Sequence, residues 1–586
     1  MGGIQSAIRD ELAARGVGHV ADAISPLTRD FTITWVNKVG RSGSDVWYLF
    51  MKPEDHIKKT FGLEREVLLV YSDQSTTPLR VFQDADQFLD KPDPRGRVDQ
   101  LVYVILSEDS HIRDVVRGLR FDAGQSRIIV PFCRSESERD EDGFVVRRFK
   151  EHLFHKDLFD IEQPIRTDVF FFGRSAFIAD LLDSIRTGTN VGLFGLRKSG
   201  KTSLLYRLER HIARDHSGRL VYLDLQDPAL YNLRWWELLE RMSHVIGVQP
   251  GGQAYTEATA ARLFDENIQR HSNKGRSKRL ILALDEIEHI SPSHSLRDHW
   301  KRDFLEFFKT LRAVQNRYSS NLTLVVSGVN AGVVEQSDFD GHDNPLFSMA
   351  KIRYMPPFSV DDVAAMISTL GHYMGLEFDD RLFDFLHERY GGHPLLTRLA
   401  CSKISQRVRS KDQADVVGVE LEFVQKHARA IDQELFAYAN HILNVLRSWC
   451  PAEYQMLQWL AQGELDVFSE MARETPAYAE HLRAYGLVQV TPPSMQMPFL
   501  LAFLSDERKS HDVALTGEME SPSSVVGALR NRLEPKLRSL IAQVFKMKLG
   551  PQKWIGPVLE ILPAERRART VGVSAASIMS NHLYLE

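Results

Sequence analysis

The sequence predicts an α/β protein whose central domain contains a parallel sheet and a phosphate-binding loop. Between residues 191 and 354, apolar runs typical of buried strands alternate with segments whose apolar residues recur at helical spacing. The run Val191–Phe194 is followed directly by Gly-Leu-Arg-Lys-Ser-Gly-Lys-Thr at residues 195–202, and a helical segment comes next. Because parallel sheets bind ligands at the carboxyl ends of their strands, we expect the functional site at that edge.

The loop after this first strand has the residue types that hold a nucleoside triphosphate. Its glycines let successive backbone N–H groups converge on phosphate oxygens, and the N-terminus of the following helix adds to the attraction. Lys201 is expected to reach the β- and γ-phosphates, and the Thr202 hydroxyl is expected to hold Mg²⁺. The predicted nucleotide-binding residues of the loop are Gly195, Lys198, Ser199, Gly200, Lys201, Thr202 and Ser203.

Two acidic residues follow a later apolar strand. The run Leu280–Leu284 leads directly into Asp285 and Glu286. We expect Asp285 to hold Mg²⁺ together with Thr202, and Glu286 to polarise the water that attacks the γ-phosphate. Lys201 and Glu286 are therefore the predicted catalytic residues, and the sequence predicts hydrolysis as well as binding.

Polar residues also end the next predicted strand, which spans residues 321–330. Ser327 or Asn330 would be placed there to sense the γ-phosphate, and an ordinary strand-end turn explains both residues equally well. The run Lys351–Tyr354 is predicted to complete the sheet.

Composition and charge exclude several classes of protein. A chain of 586 residues is expected to form three to five domains. A net charge of −5 excludes a chain-wide basic field, so any contact with nucleic acid must be local. The three widely spaced cysteines predict neither a disulfide framework nor a metal site. No segment has the apolar length of a signal core or a membrane span, so we expect a soluble, cytoplasmic protein without membrane contact.

Two further motifs, one on each side of the phosphate loop, extend the pattern: Phe171-Phe172-Gly173-Arg174 and Tyr390–Leu396, which contains Gly-Gly-His-Pro. With them the chain resembles the ATPases that include the AAA+ proteins, the STAND (signal-transducing) NTPases and the archaeal-ATPase-like families. The resemblance covers roughly residues 166–510 and implies a P-loop ATPase core at 166–354 and a helical lid at 355–435. It also implies binding of ATP, with an adenine pocket bordered by Phe172, Gly173, Arg174, His393 and Pro394.

The resemblance leaves the form of assembly open. AAA+ rings present an arginine to the neighbouring subunit, and no motif singles out such a residue here. Arg312, Arg317 and Arg353 are candidates by position, and a solvated surface arginine is the favoured interpretation of each. A homo-oligomer or a protein partner is expected.

Residues 436–510 are predicted to form a winged helix. Helices are expected at Ala452–Leu460 and Tyr478–Tyr485, followed by a strand at Gly486–Val490 and a Pro-Pro turn. The presumed recognition helix offers only His481 and Arg483 as basic residues, so a regulatory packing role is favoured over DNA recognition.

The first 165 residues are predicted to be a separate α/β domain. Apolar runs predict strands at Glu66–Tyr71, Gln100–Leu106 and Arg127–Phe132. The charged stretch Arg134–Arg148 is interpreted as an exit linker, and Gly40–Asp45 as a plain turn rather than a ligand loop. No role is predicted for this domain.

Residues 511–586 are predicted to be a linker followed by a basic helical module. The last 66 positions, 521–586, carry ten Lys or Arg against four Glu. The spacing of Leu533–Ile541 and the later Trp554 resembles small helical HEPN-type modules of defence ATPases, but the Arg–His pair of the ribonuclease versions is missing. A basic tail that mediates assembly, with nucleic acid as an alternative partner, is the expectation.

Three functional hypotheses follow from these observations. The first is an ATP-binding and hydrolysing switch similar to STAND and AAA+ proteins, which couples the ATP or ADP state to assembly or an effector, with prokaryotic defence suggested by the resemblance. The second is a DNA-associated ATPase that resembles origin-recognition and helicase-loading proteins. In the third, the ATPase gates an enzymatic N-terminal domain.

Overall fold

The computed structural model describes residues 4, 6, 8–10, 18–39, 46–119, 127–137, 143–247, 253–273, 279–319, 321–339, 341–409, 415–504, 540–541, 544–545, 548 and 555–561. The chain divides into two compact units. The first comprises Met1–Arg174, Phe358–His387 and Gly392–Leu435, and the second comprises Ser175–Pro357, Glu388–Gly391 and Phe436–Glu586. The domain boundaries predicted at residues 165, 354, 435 and 510 stay predictions.

The first unit begins with a five-stranded sheet formed by β1 (Phe31–Lys38), β2 (Val46–Pro53), β3 (Glu66–Ser72), β4 (Val98–Ser107) and β5 (Ile128–Cys133). Strands β1, β2 and β3 pair antiparallel, and β3, β4 and β5 pair parallel. The three predicted strands are present as β3, β4 and β5, because buried parallel strands are continuous apolar runs. The helices are α1 (Gly18–Ile24), α2 (Asp55–Phe61), α3 (Leu79–Leu89), α4 (Pro92–Arg97), α5 (Ile112–Gly118), α6 (Arg134–Ser137) and α7 (Phe144–Leu153).

The prediction that Arg134–Arg148 is an exit linker is wrong. The described residues of this stretch form α6 and the first half of α7. Arg148 is buried, donates to the carbonyl of Pro131 at 3.1 Å, and lies over the rings of Phe132 and Phe144. Residues 138–142 and the predicted turn Gly40–Asp45 lie outside the described residues.

The second unit contains a five-stranded parallel sheet, as predicted. It is formed by β6 (Val191–Phe194), β7 (Gly218–Asp224), β8 (Arg279–Asp285), β9 (Leu322–Gly328) and β12 (Lys351–Tyr354), in the order β12-β6-β9-β8-β7. A two-stranded ribbon, β10 (Asp338–Phe339) and β11 (His342–Asp343), precedes β12. The helices are α8 (Ser175–Arg186), α9 (Lys201–Arg214), α10 (Pro228–Tyr231), α11 (Trp235–Ile246), α12 (Ala260–Asn273), α13 (Trp300–Arg317) and α14 (Gly332–Glu335).

The core of this sheet domain is aromatic. Trp300, Phe304, Phe307 and Phe308 of α13 are fully buried in one cluster with the apolar side chains of β8 and β9. The sheet places the phosphate loop, which follows β6, beside the ends of β8 and β9, because these three strands lie close together in the sheet. The functional edge predicted from the sequence is therefore assembled from segments that are far apart in the chain.

The remaining helices of the first unit are α15 (Val360–Tyr373), α16 (Arg381–Tyr390, whose last residues belong to the second unit), α17 (Pro394–Val408) and α18 (Leu421–Glu434). A parallel pair, β13 (Leu376–Phe378) and β14 (Val417–Val419), interrupts a stretch that was predicted to be helical throughout. Tyr373 on α15 donates to Asp99 on β4 at 2.6 Å, so within this unit the helices contact the N-terminal sheet.

The second unit continues with α19 (Phe436–Trp449), α20 (Pro451–Ala461), α21 (Leu465–Glu474), α22 (Pro476–Ala484) and the hairpin of β15 (Val488–Val490) and β16 (Pro493–Met495). The helices at Ala452–Leu460 and Tyr478–Tyr485 agree with prediction, whereas α21 was not predicted. The winged-helix assignment stays a prediction. A last helix is α23 (Ile555–Ile561), and the predicted linker and most of the C-terminal module lie outside the described residues.

Within the described part of the chain, no helix combines the length and the apolar composition that crossing a membrane requires.

Candidate functional site

The phosphate loop is built by backbone conformations that few residues adopt. Lys198 and Gly200 have φ angles of 61° and 97°, which turn the chain between β6 and α9. A Cβ on Gly195 would lie 2.7 Å from the Cβ of Met355, so the sheet leaves no room for a side chain there. The loop therefore requires glycine for both packing and conformation.

Lys201 begins α9 and points back into the loop. Its ammonium group is buried and donates to the carbonyls of Gly195 and Leu196 at 3.0 and 3.1 Å. This places the positive charge inside the turn where phosphate oxygens are expected. Ser199 and Ser203 are also buried beside it.

Asp285 is the centre of a hydrogen-bond network at the end of β8. The carboxylate accepts from Thr202 Oγ1 at 2.7 Å, from the Tyr222 hydroxyl at 3.2 Å, from the backbone N–H of Glu286 at 3.1 Å and from the Ser327 hydroxyl. It is 1% exposed. The structure thus brings together three predicted site residues, Thr202, Asp285 and Ser327.

The donor set of this network fits Mg²⁺, which prefers hard oxygen ligands such as a hydroxyl and a carboxylate beside nucleotide phosphates. Thr202 and Asp285 would hold the ion, and it would neutralise charge on the phosphate oxygens. Ser327 was predicted to sense the γ-phosphate, and its hydroxyl is bonded to Asp285 instead of pointing to an open position. Its contact with phosphate stays a prediction.

Glu286 has an uncommon backbone conformation, and its side chain pairs with a residue that was not predicted. Its φ of 55° lies in the left-handed region, which is costly for a residue with a side chain. Its carboxylate pairs with Arg197 of the phosphate loop at 3.2 Å, and both side chains are about 15% exposed (16% and 14%). Arg197 occupies a variable position of the loop motif, so no sequence pattern indicated this contact.

Glu288 is a second functional candidate that was not assigned from the sequence. It is fully buried, and its Oε1 accepts from the backbone N–H groups of Val329 and Asn330 at 2.5 and 2.6 Å. Burial, with the nearby charge of Glu286, raises the pKa of Glu288 to about 7. The carboxylate therefore ties the end of β8 to the turn after β9.

Asn330 does not join the Asp285 network. Its side-chain N–H group donates to the carbonyl of Trp449 at 2.6 Å, and its side-chain oxygen accepts from Gly332 N at 2.8 Å. The Tyr485 hydroxyl donates to the carbonyl of the neighbouring Val329 at 2.6 Å. The turn after β9 is therefore bonded both to Glu288 and to the C-terminal helices of the same unit.

The residues that the resemblance assigned to the adenine pocket belong to the first unit. Gly173 has a φ of 69° and packs against Asp362, and Arg174 lies over the Phe358 ring at 4.9 Å. Burial lowers the pKa of Arg174 to about 9. His393 caps α17 by accepting from Leu396 N at 3.3 Å, and Pro394 is the first residue of that helix. The roles of Phe172, Gly173, Arg174, His393 and Pro394 at a base stay predictions.

The candidate arginines for a neighbouring site differ in their surroundings. Arg353 pairs with Asp180 at 2.9 Å and Arg317 with Asp265 at 2.8 Å, whereas Arg312 is exposed. Nothing in these contacts selects one of them, and the form of assembly stays a prediction.

The two basic residues of the presumed recognition helix, His481 and Arg483, are both engaged with carboxylates. His481 is 5% exposed and lies between the carboxylates of Glu453 and Glu335, and Arg483 pairs with Glu480 at 2.8 Å. The helix α22 therefore uses its histidine for internal packing.

The described residues contain no cluster of His, Cys, Asp and Glu that would hold a metal ion by itself. The three cysteines, Cys133, Cys401 and Cys450, are buried and unlinked. A nucleotide-dependent Mg²⁺ site with one protein carboxylate is consistent with this arrangement.

Residues 185–335 match the family model described as AAA domain. This segment is a P-loop ATPase domain of the AAA+ type. It carries the phosphate loop, the Asp285 network and Glu286, and ATP hydrolysis is its activity. No curated protein matches the sequence.

Several solved structures are similar to part of the chain. The Walker-type ATPase of Pyrococcus abyssi has 16% identity and a TM-score of 0.41, covering 59% of this chain and 99% of its own. The Aeropyrum pernix ORC2 protein has 13% identity and a TM-score of 0.39, with coverages of 59% and 98%. The Aeropyrum pernix ORC1 protein, solved in complex with DNA, has 15% identity and a TM-score of 0.31, with coverages of 62% and 97%.

Proposed function

We propose that the protein is an ATP-driven switch in which the AAA+ domain passes its nucleotide state to the C-terminal helices of the second unit. The observation that carries the proposal is the chain of hydrogen bonds from Glu288 through the turn at Val329 and Asn330 to Trp449 and Tyr485. A switch of this kind requires one element whose position both the nucleotide and the output region influence. The turn after β9 is bonded to Glu288 near the nucleotide site, and to Trp449 and Tyr485 in the output region.

Nucleotide binding is assigned to the loop from Gly195 to Ser203. Triphosphate oxygens would take the Lys201 ammonium from the carbonyls that it now contacts, and Thr202 with Asp285 would hold Mg²⁺. Because Lys201 and Thr202 are consecutive residues of α9, both changes begin at the same helix end.

Hydrolysis is assigned to Glu286 as the group that polarises the attacking water. In the structure its carboxylate is paired with Arg197, and a carboxylate paired with a guanidinium is a weaker base. Release of this pair is therefore part of the proposed active state.

The switch would act by changing assembly or an effector surface. A bound triphosphate commonly orders contacts that are released after hydrolysis. In this way hydrolysis is coupled to a conformational change. A STAND-like organisation, a lid made of residues 355–435, a winged helix and a role in prokaryotic defence belong to this proposal as expectations from the resemblance.

The first experiment measures molar mass by size-exclusion light scattering with ADP and with a non-hydrolysable ATP analogue. Wild type, Lys201→Ala and the surface control Lys309→Ala are compared. We expect the analogue to increase the molar mass of wild type and of Lys309→Ala. The molar mass of Lys201→Ala should not increase. An unchanged mass in every state would contradict assembly as the output and leave action on an effector within one protomer.

A second candidate function is DNA binding, favoured by the basic balance of residues 521–586, with ten Lys or Arg against four Glu. Such binding would weaken steeply with salt. Reversal of charge at Arg566, Arg567 and Arg569 should abolish it, and absence of binding at low salt would exclude it. The burial of His481 argues against α22 as the DNA-contacting element.

A further inference from the structure

The second unit contains a cavity of about 550 Å³ that is separate from the phosphate loop. It lies between the segment that follows β9 and the helices α19, α20 and α22. Its lining includes the aromatic residues Phe339, Trp449 and Tyr478 and the charged or titratable residues Glu335, Glu453 and His481. This size and this mixture of aromatic walls with a few convergent polar groups are typical of small-molecule sites.

The polar lining of the cavity includes a histidine held between two carboxylates. His481 Nδ1 lies 2.6 Å from Glu453 Oε1, and its Nε2 lies 2.8 Å from Glu335 Oε2. When both glutamates are ionised, their oxygens only accept, so both ring nitrogens carry a proton and the ring is an imidazolium. Burial lowers the pKa of His481, but the hydrogen bonds and charges of the two glutamates outweigh it and raise that pKa to about 9.

The lining as a whole is negatively charged. Two carboxylates face one imidazolium, which leaves one negative charge, and no Lys or Arg is among the described residues that line the cavity. A phosphate or carboxylate ligand would be repelled, so the cavity is not a second nucleotide site.

One carboxylate oxygen on the wall of the cavity has no donor. Glu453 is 4% exposed, and its Oε1 is bonded to His481. Its Oε2 accepts no hydrogen bond from the part of the chain that the structure describes. The carboxylate of Glu335 differs, because its two oxygens accept from His481 and from the Tyr354 hydroxyl. A ligand N–H can therefore form a charge-assisted hydrogen bond with this oxygen without displacing a protein donor.

We propose that this cavity binds a small organic cation with an aromatic or apolar body. The ammonium N–H of such a ligand would donate to Glu453 Oε2. The charge would complement the net negative lining, and the body would lie against Trp449, Tyr478 and Phe339, whose ring faces attract cations.

The test uses ligand-observed saturation-transfer NMR with the full chain and four probes. Tryptamine and phenethylamine represent the proposed class, and indole-3-acetate and 3-phenylpropionate are the matched anions. Ala452→Trp places a bulky side chain on the cavity wall, because Ala452 lines it. Ala437→Trp is the matched control, because Ala437 is exposed on the same group of helices and does not line the cavity.

The amines should bind wild type and Ala437→Trp, with an affinity at least tenfold lower in Ala452→Trp, and the anions should not bind. Glu453→Gln keeps the shape of the wall and removes its open negative charge, so it should also lower amine affinity about tenfold. This variant carries the test if Ala452→Trp fails to fold, as judged by circular dichroism. Absence of amine binding to wild type, equal binding of amines and anions, or unchanged binding in the folded variants would overturn the proposal.

Discussion

At the scale of single residues, three carboxylates close together in the sequence have three different surroundings. Asp285 is fixed by four donors, Glu286 is paired with Arg197, and Glu288 accepts from two backbone N–H groups of another strand end. Metal binding by Asp285 and water activation by Glu286 are the proposed roles, and Glu288 is bonded to the turn after β9.

Glu286→Gln should separate binding from hydrolysis. The amide keeps the size of the side chain but cannot polarise water, so we expect ATP turnover to fall by about 10²–10⁴-fold while binding of an ATP analogue persists. Phosphate release and analogue binding are measured in parallel. Glu306→Gln, on the exposed face of α13, should behave as wild type. Turnover at the wild-type rate in Glu286→Gln would remove this residue from the mechanism.

Glu288→Gln should change how stability depends on pH. The pKa of Glu288 is raised by burial to about 7, so the folded state holds its proton more tightly than the unfolded state. The stabilisation is complete below the unfolded pKa, near 4.5, and is lost as pH rises through about 7. Between about pH 5 and pH 8, wild type should lose about 2–3 kcal/mol of unfolding free energy relative to the variant.

Urea unfolding of both proteins across that pH range gives the difference directly. A constant difference between wild type and Glu288→Gln would mean that Glu288 titrates alike in the folded and unfolded states.

At the scale of helices and strands, the prediction succeeded for elements that a short stretch of the sequence specifies by itself. The strands Val191–Phe194 and Lys351–Tyr354 were predicted with their observed bounds. Val191–Phe194 is a fully buried apolar run, as is typical of inner parallel strands, whereas Lys351–Tyr354 is an edge strand with two basic residues and no fully buried side chain. The stretch 134–148 was misread because its charges hide the apolar spacing of Val145, Phe149 and Leu153, which are buried on one face of α7.

The contacts of the candidate site also fall into two groups, those that a local motif predicts and those that depend on the order of strands in the sheet. The proximity of Thr202 and Asp285 could be predicted, because each belongs to a motif with fixed chemistry at the end of a strand or loop. The partners of Glu286 and Glu288 could not, since Arg197 and the backbone of Val329 and Asn330 reach them only through the order of strands in the sheet.

Loss of His481 should loosen α22. Glutamine at this position leaves the buried carboxylate of Glu453 and the more exposed carboxylate of Glu335 without their cation. We expect the uncompensated charge of Glu453 to cost about 3–5 kcal/mol. Hydrogen exchange of peptides covering residues 476–490 should therefore become faster. Arg483→Gln on the exposed face of the same helix should change it little, because exposed ion pairs contribute about 0–1 kcal/mol.

The contact of His481 with Glu335 and Glu453 should stabilise the protein only between an acid and an alkaline pH limit. The raised pKa of His481 gives stabilisation that is complete below about 6.5 and lost as pH rises through about 9, and the lowered pKa of Glu335 gives stabilisation that is lost at acid pH. The protection factors of wild type, which compare its exchange rates with the intrinsic rate at each pH, should be highest between these limits, while His481→Gln should lack the alkaline loss. An equal alkaline loss in both proteins would contradict the assignment.

At the scale of the whole molecule, each unit has a sheet of its own, and the phosphate loop and the cavity both belong to the second unit. Asn330 lines the cavity, while its backbone N–H is bonded to Glu288, two residues from Glu286, the proposed catalytic carboxylate. The two sites therefore share one turn.

An amine in the cavity and ATP at the loop should change each other's affinity by the same factor, because binding linkage is reciprocal. We expect a factor of at least about three in wild type and a factor near one in Asn330→Ala. The dissociation constant of tryptamine is measured with and without the ATP analogue, and that of the analogue with and without tryptamine. Independent binding in wild type would show that the shared turn transmits nothing.

Trp449 also makes the turn visible to spectroscopy. Its carbonyl holds Asn330, and its indole lies edge-on to His289 and His294 at 5.8 and 6.3 Å. Burial lowers the pKa of both histidines, so at neutral pH the indole faces uncharged rings. Its emission depends on these neighbours and on the wetness of the cavity that it lines. The difference between the fluorescence of wild type and of Trp449→Phe is therefore a built-in signal for movement of the turn during each ATP cycle, without any attached dye.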